Sequence, residues 1–345
     1  MEYRTINILT ACSLGLLAGL PLTEGTTLAQ TSSIVWKEIG DPGNQPWEDD
    51  RYPNHKFIGR GQVDHRYRMT ETELTTSQWI GFVRAYGPHA ENPFDLGLLG
   101  SYITGSSQNG ELHYEIMDGL ENHATEVSWR MAARFANWMH NGQASEAWAF
   151  ENGAYDTSTF TSNDNPPPFY NDQDARNPDA RYWIPSLDEW MKAVYYDPNK
   201  NGTGQGGWWE QPNGSDTVLI ADYPENGGET NAGLAAHTGH WDPRFTVGMY
   251  PEVLTPWGLL DASGGVREWT EEWTDNHRGR YVKGSSKDDW FDYDRLDWVA
   301  SNDYRLPDGY MNLGIRVAST VPAPSSGLTV VVVFAASCTP RRRRP

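Results

Sequence analysis

Only three stretches of this 345-residue chain carry the pattern of a capped helix with one apolar face. They follow Thr75, Ser128 and Ser186, and the first and last caps have Gln78 and Glu189 three residues on, as a capping box requires. No further helix is expected after the third. Because short helices leave most of the chain to strands and loops, the pattern predicts a single α+β domain with little regular secondary structure.

The segments between these helices are interpreted as short strands and long loops. Strands are expected at 67–74, 125–128 and 182–185, loops at 87–122, and a long surface excursion at 143–180. The chain has 16 tryptophans and 34 glycines, which suits irregular packing because large indoles fill uneven gaps between turns. Exposed tryptophans that hold a ligand are the alternative use of these side chains.

The N-terminal residues 1–30 have the features of a signal peptide. Arg4 precedes a mostly apolar stretch at 6–22, and Thr27 and Ala29 offer small residues for cleavage. A lipoprotein-like signal ending at Cys12 is the alternative. Either interpretation predicts that the protein is exported.

The C-terminal residues 321–345 begin with Val-Pro-Ala-Pro, continue with an apolar run at 327–338 and end in an arginine cluster at 341–344. A twelve-residue helix would rise only about 18 Å, too short for a bilayer core of about 30 Å. The segment resembles the PEP-CTERM sorting signal of Gram-negative bacteria, with one departure from the usual Val-Pro-Glu-Pro. The resemblance implies processing by a protease at the inner membrane and delivery to the cell surface or extracellular matrix. A plain tail anchor is the alternative.

Charge and cysteine content exclude several functions. The formal net charge is −19, so the surface repels phosphate backbones and nucleic acid is not an expected partner. The two cysteines are Cys12 and Cys338, one in each end segment. The domain between these segments therefore has no disulfide, no thiolate metal site and no cysteine nucleophile.

Six segments in consistent order resemble the formylglycine-generating enzyme (sulfatase-modifying factor) family over residues 36–320. They are ELTTSQWIGF at 73–82, VSW with its helix at 127–138, YWIPSLDEW at 182–190, WGLLDASGGVREW at 257–269, YVKGS at 281–285 and NLGIRV at 312–317. The resemblance implies the formylglycine-generating-enzyme fold, which is related to C-type lectins and low in regular secondary structure.

The family's oxidases bind Cu(I) through two cysteines five positions apart, and soft thiolates suit that ion. The matching positions in this sequence are Asp288 and Tyr293, and Arg267 stands where the family motif has tryptophan. The resemblance therefore implies no copper and no oxidation of a substrate cysteine by the family mechanism.

An acidic run, formed by Asp288, Asp289, Asp292 and Asp294, lies at the same place. These carboxylates suggest an enzyme of altered chemistry that uses them for a divalent cation or for acid–base catalysis. A solvated acidic loop is the alternative interpretation in a chain this acidic.

The family also holds structural calcium, and the resemblance implies ligands at Asp261, Gly264, Val266 and Glu268. The two carboxylates are hard oxygen donors of the kind that Ca²⁺ prefers. A turn in which Glu268 forms a salt bridge is the alternative.

A second family calcium site would begin at Asn231 and Ala232, with its remaining ligands near Asp242.

Together these features predict an exported protein that is not an oxidase and most resembles a non-catalytic binding module for a glycan or an extracellular protein. An enzyme that uses the acidic residues around Asp288 is the alternative hypothesis. A structural matrix component without a small ligand is the third.

Overall fold

The three longest helices in the computed structural model begin at the capping residues that the sequence singles out. The structure describes residues 33–322, apart from 52, 54, 164–168, 239–241, 275–276, 290, 299–303 and 306–307. Its helices are α1 (Thr76–Tyr86), α2 (Leu96–Leu99), α3 (Trp129–His140), α4 (Trp148–Glu151), α5 (Leu187–Tyr195) and α6 (Leu234–Thr238). The side chains of Thr75, Ser128 and Ser186 accept first-turn N–H bonds, and the first and third close as capping boxes. The prediction of these three helices is confirmed.

The strands of the described residues are short and form small sheets. They are β1 (Trp36–Ile39), β2 (Tyr67–Thr70), β3 (Ile103–Gln108), β4 (Glu111–Ile116), β5 (Ser162–Asn163), β6 (Phe169–Tyr170), β7 (Tyr182–Trp183), β8 (Tyr196–Asp197), β9 (Gly207–Trp208), β10 (Arg267–Trp273), β11 (Arg280–Lys283), β12 (Tyr304–Arg305), β13 (Leu313–Gly314) and β14 (Ala318–Thr320). One four-stranded sheet has the order β1-β2-β14-β7 and the other β12-β11-β10-β13. Small sheets combined with few helices confirm the predicted α+β class with little regular structure.

The two four-stranded sheets join distant parts of the chain. In the first, β14 lies antiparallel between β2 and β7. In the second, β10 pairs antiparallel with β11 and parallel with β13. The second sheet therefore brings the segment before β10 close to the segments around β11 and β13, where the family motifs lie.

Three expectations about secondary structure are wrong. The region 87–122 is not only loops, because β3 and β4 form a hairpin that turns at Asn109 and Gly110, both with positive φ. Residues 125–128 are not a strand, although the N–H of Thr125 donates to a carbonyl of the chain before α1. A helix, α6, does follow the third predicted helix, but its five residues are too few to show an apolar periodicity.

Buried tryptophans connect these elements. Trp79, Trp129, Trp190 and Trp269 are almost completely buried. The indole N–H of Trp129 donates to Thr270 O at 3.1 Å, and that of Trp269 donates to Val127 O at 2.8 Å. Because the indoles of Trp129 and Trp269 fill space and also satisfy a backbone carbonyl, they hold the loops between small sheets in place. The predicted packing role of tryptophan is confirmed for these four residues.

The expected signal peptide at 1–30 lies outside the described residues, as does the expected sorting signal apart from residues 321 and 322. None of the helices in the described ranges is long and apolar enough to cross a membrane.

Candidate functional site

The turn before β10 has an uncommon backbone conformation that places its side chains against other segments. Asp261, Gly264 and Gly265 all have positive φ, at 54°, 86° and 58°. A Cβ on Gly264 would collide with the Asn231 side chain, and one on Gly265 would collide with the Glu73 carboxylate. Glycine is therefore required here both for the backbone conformation and for the close approach.

A buried ion pair lies directly beside this turn. Glu268, the second residue of β10, accepts from Arg316 Nε at 2.7 Å and from the Trp190 indole N–H at 2.5 Å. Arg316 is fully buried and also donates to the backbone carbonyls of Glu71 and Leu260. Glu268, in β10, is thus bonded both to α5, through Trp190, and to the segment before β14, through Arg316.

Two further carboxylates share this region. Glu73 is buried, and its Oε1 accepts from Val266 N–H at 3.3 Å, while its Oε2 accepts no hydrogen bond from the residues that the structure describes. Asp261 is half-buried, and its Oδ2 accepts from Gly248 N–H at 2.6 Å. Arg316 therefore pairs directly with Glu268 and also experiences the charges of Glu73 and Asp261.

The raised pKa values of these carboxyl groups show that burial disfavours their ionised forms. Burial raises the pKa of Asp261 to about 6. Burial also raises the pKa of Glu268, and it raises that of Glu73 well above its usual range, with the Asp261 charge adding to the effect. A positive charge added near them would stabilise their ionised forms.

The donor chemistry of this region fits the predicted calcium ligands Asp261, Gly264, Val266 and Glu268 in part. Asp261 and the carbonyls of Gly264 and Val266 belong to the turn, Glu268 lies in the strand that follows it, and the Glu73 carboxylate approaches the turn at Gly265 as a further oxygen donor. Against this, Glu268 already binds Arg316 and Trp190. Within the described ranges, no group of three or more His, Cys, Asp or Glu side chains is arranged to hold a metal ion.

The residues of the second expected calcium site have other partners. Asn231 Oδ1 accepts from Gly265 N–H at 2.8 Å, which ties this segment to the turn before β10. The Asp242 carboxylate pairs with Arg244 at 2.8 Å and accepts from the Tyr223 hydroxyl at 2.7 Å. Asn231 therefore supports the first turn, and the adjacent Ala232 donates its N–H to Thr230 Oγ1.

Of the two positions expected for the family's copper-binding cysteines, Asp288 and Tyr293, the second lies beside Arg267. Asp288 is exposed, and Tyr293 is in a 3-10 turn, Phe291–Asp294. The Arg267 guanidinium lies 4.5 Å from the centre of the Tyr293 ring, and its Nε is 2.7 Å from Asp289 Oδ2. Carboxylate and phenol oxygens are hard donors, and a guanidinium repels cations, so these residues do not fit Cu(I).

The three described side chains of the acidic run do not share a cleft, and the side chain of Asp292 lies outside the described part of the chain. Asp288 faces solvent, Asp289 pairs with Arg267, and Asp294 is completely buried. Asp294 accepts from the Ser263 hydroxyl at 2.5 Å and from Ser285 N–H at 2.9 Å, and burial raises its pKa to about 7. These three residues therefore have different roles, two of which are structural.

The β8–β9 hairpin lines a cleft that the sequence does not predict. It has a volume of about 520 Å³ and lies between this hairpin and residues 45–51. Trp47, Trp208 and Trp209 line it together with six carboxylate and two cationic side chains, and we call it the tryptophan cleft. The sequence carried a signal in the aromatic and acidic runs WEDDR at 47–51 and WWE at 208–210, but it could not show that they meet.

Comparison with known proteins identifies the family. The model of the Sulfatase-modifying factor enzyme 1-like domain matches residues 33–321. The chain belongs to this family. The resemblance found in the six sequence segments is therefore confirmed for this sulfatase-modifying-factor domain, and no curated protein gave a significant match.

Solved structures with similarity to this sulfatase-modifying-factor domain have low sequence identity. Treponema denticola variable protein 1 is 17% identical, covers 85% of this chain and 97% of its own, and has a TM-score of 0.48. CarF is 18% identical, with coverages of 84% and 99% and a TM-score of 0.45. PvdO from Pseudomonas aeruginosa is 12% identical, with coverages of 81% and 92% and a TM-score of 0.41.

Proposed function

We propose that this protein is an exported, non-catalytic binding module built on the sulfatase-modifying-factor domain. The observation that carries the proposal is the replacement of both copper-binding cysteines by Asp288 and Tyr293, with Arg267 packed on the tyrosine ring. The matched residues 33–321 contain no cysteine at all. Because Cu(I) needs soft ligands, the family's oxidation of a thiol has no donor set here.

The ligand in this proposal is a glycan or an extracellular protein. The end segments 1–30 and 321–345 support export, processing by a protease at the inner membrane, and delivery to the surface or matrix of a Gram-negative-type bacterium. Calcium would be structural, held by Asp261, Glu268 and the carbonyls of Gly264 and Val266. The second proposed ion would be held at Asn231 and Ala232.

The alternative enzyme would use the acidic residues around Asp288. Its support is weaker, because Asp288 is exposed while Asp289 and Asp294 are engaged by Arg267 and by Ser263. A general acid or base has to reach a substrate, and Asp294 is buried.

The proposal is tested by offering the purified protein the family's reaction. We expect that the protein, loaded with Cu(I) and given a cysteine-containing peptide and oxygen, forms no aldehyde and consumes no oxygen above background. A form with Cys12→Ser and Cys338→Ser, whose substitutions lie outside the family match, is the control for copper bound by the end segments. Aldehyde formation by the control form would refute the proposal.

A further inference from the structure

The tryptophan cleft has the size of a small-molecule site and walls of mixed aromatic and acidic character. Its volume of about 520 Å³ lies within the range of ligand pockets. Trp208 and Trp209 are partly exposed where they line it, and Trp47, which lines the wall of residues 45–51, is buried. Indole surfaces that remain partly open offer apolar contact to a ring, which the four fully buried tryptophans of the core do not.

The architecture of the cleft keeps these indoles in fixed positions. The Trp208 indole N–H donates to Gln45 O at 3.2 Å, so it joins the two walls, and its ring occupies the space where Gly61 has no side chain. The Trp209 indole N–H donates to Asp197 Oδ2 at 3.2 Å. Side chains that are held before a ligand arrives lose little conformational freedom on binding it.

The cleft already accommodates an ammonium group that belongs to the chain itself. Lys200 Nζ lies 4.1 Å from the centre of the Trp209 ring, 2.6 Å from Trp208 O and 3.3 Å from Asp216 Oδ1. An aromatic face, a carbonyl and a carboxylate thus surround one amine. This is the set of contacts by which proteins recognise ammonium ligands.

Acidic side chains outnumber cationic ones along the cleft. Six carboxylates line it, and the two cations are Lys200 and Arg51. Arg51 is 59% exposed and bridges Asp49 and Glu210, at 2.6 Å from each. Because this guanidinium is solvent-facing and pairs with carboxylates from both walls, a ligand cation would compete with it for the same oxygens.

We infer that the tryptophan cleft binds an amino-sugar oligosaccharide, with pyranose rings packed on Trp208 and Trp209 and an ammonium group bound by Asp49 and Glu210 in place of Arg51. A sugar ring supplies a flat C–H face for an indole and hydroxyl groups for the remaining carboxylates. A basic peptide would use the carboxylates without requiring the indole faces. The inference rests on the proposed binding function and adds to it the location of the site and the class of ligand.

The test is titration calorimetry of the full-length protein with a glucosamine tetrasaccharide and with the matched N-acetylglucosamine tetrasaccharide. We expect the glucosamine form to bind on the order of tenfold more tightly, because acetylation removes the ammonium group. Glu210→Gln should weaken its binding by about two- to fivefold, because it removes one of the two carboxylates that would bind the ammonium group. Arg51→Gln should tighten binding by a similar factor, because it removes the guanidinium that competes for both carboxylates. Glu91→Gln, which removes an equal charge at an exposed position away from the cleft lining, should change nothing.

Each other outcome counts against the inference in a distinct way. Equal affinity for both tetrasaccharides, with no effect of Glu210→Gln or Arg51→Gln, overturns the charged ligand class but leaves a glycan-binding module. Tetralysine is titrated as a third probe, and binding of tetralysine without binding of either tetrasaccharide identifies a basic peptide as the occupant and overturns the amino sugar. Absence of binding by all three probes, with thermal unfolding unchanged in each variant, overturns the site. The proposed function fails separately, through aldehyde formation in the copper assay.

Discussion

Asp294 is a completely buried carboxyl group whose charge state changes near neutral pH. Its two oxygens accept from Ser263 and Ser285, and burial raises its pKa to about 7. Glu271 behaves similarly, because burial raises its pKa to about 7 although the Arg176 charge opposes the shift. In both cases the folded state holds its proton more tightly than the unfolded chain does.

We therefore expect Asp294→Asn to reduce the loss of stability on raising the pH. The contribution of Asp294 is complete below about pH 4 and is lost as the pH rises through about 7, by about 1.4 kcal/mol for each pH unit within that range. Asparagine keeps the shape and can still bond Ser263 and Ser285. Urea unfolding at several pH values from about 5 to 8 measures the slope. The exposed Asp288→Asn is the control, and equal slopes in the two variants would contradict the assignment.

Arg316 is the buried cation that offsets the carboxylates beside β10. Arg316→Met should lower the free energy of unfolding by about 3–5 kcal/mol, because it leaves Glu268 as a buried charge without its ion partner. Arg66→Met breaks a pair with Glu38 that is exposed on both sides, and it should cost less than about 1 kcal/mol. Chemical denaturation compares the two, and similar losses would mean that Arg316 is not structurally special.

The sequence predicts that residues of a single motif lie together in the region beside β10, but it does not predict which residues from distant segments join them. Asp261 and Glu268 lie in one motif, so the family resemblance was enough to bring them together. Glu73 and Arg316 come from segments far away in the chain, and only tertiary packing shows that they face the same turn. Asp288 and Asp294 belong to the same acidic run, yet the first is exposed and the second is buried. This difference depends on tertiary contacts that the run itself does not reveal.

At the level of single elements, the capping box of α5 is a measurable unit of stability. Ser186 Oγ accepts from Glu189 N–H at 3.1 Å, and Glu189 Oε2 accepts from Ser186 N–H at 2.8 Å. Glu189 also receives bonds from Arg176 and Trp183, so the box joins the start of the helix to two other segments. The sequence predicted the cap from residue types alone, because capping depends on neighbours within one turn.

Ser186→Ala should destabilise the protein by about 1 kcal/mol, the usual cost of losing an N-cap oxygen. Ser107→Ala, at an exposed position of β3, is the matched control and should have little effect. Thermal unfolding of both variants beside the natural protein gives the comparison. Equal melting temperatures for the two would show that the α5 cap contributes nothing to global stability.

The β3–β4 hairpin marks the limit of the periodicity used to assign elements. Its Asn109 and Gly110 are a favoured pair for a tight hairpin turn, and both have positive φ. β3 has exposed polar residues at most positions and shows no apolar alternation, whereas Leu112, Tyr114 and Ile116 alternate with exposed polar residues along β4. The turn pair and the pattern of β4 are therefore the sequence signals for this hairpin, and β3 alone carries none.

For the molecule as a whole, proposed calcium binding predicts a pH-dependent gain in stability. Calcium that binds only the folded protein should raise the melting temperature, by the equivalent of about 3 kcal/mol at a hundredfold excess over its dissociation constant. The gain should be smaller below about pH 6, because Asp261 has to be ionised to bind and its pKa is about 6. Differential scanning calorimetry with calcium or with a chelator measures it.

Asp261→Asn should remove most of this calcium effect, whereas Asp118→Asn at an exposed position should preserve it. A calcium-induced shift of equal size in both variants would show that the ion binds elsewhere. No shift in the natural protein would mean that Arg316 alone neutralises this region.

The position of β14 in the first sheet has a consequence for biogenesis. This strand, which ends at Thr320, fills the space between β2 and β7, two strands from much earlier in the chain. While the chain is being synthesised or translocated, the edges of β2 and β7 that pair with β14 stay open until nearly all of the domain is available. Open strand edges can pair with other chains. Protection of these edges from other chains therefore has to last until β14 is in place.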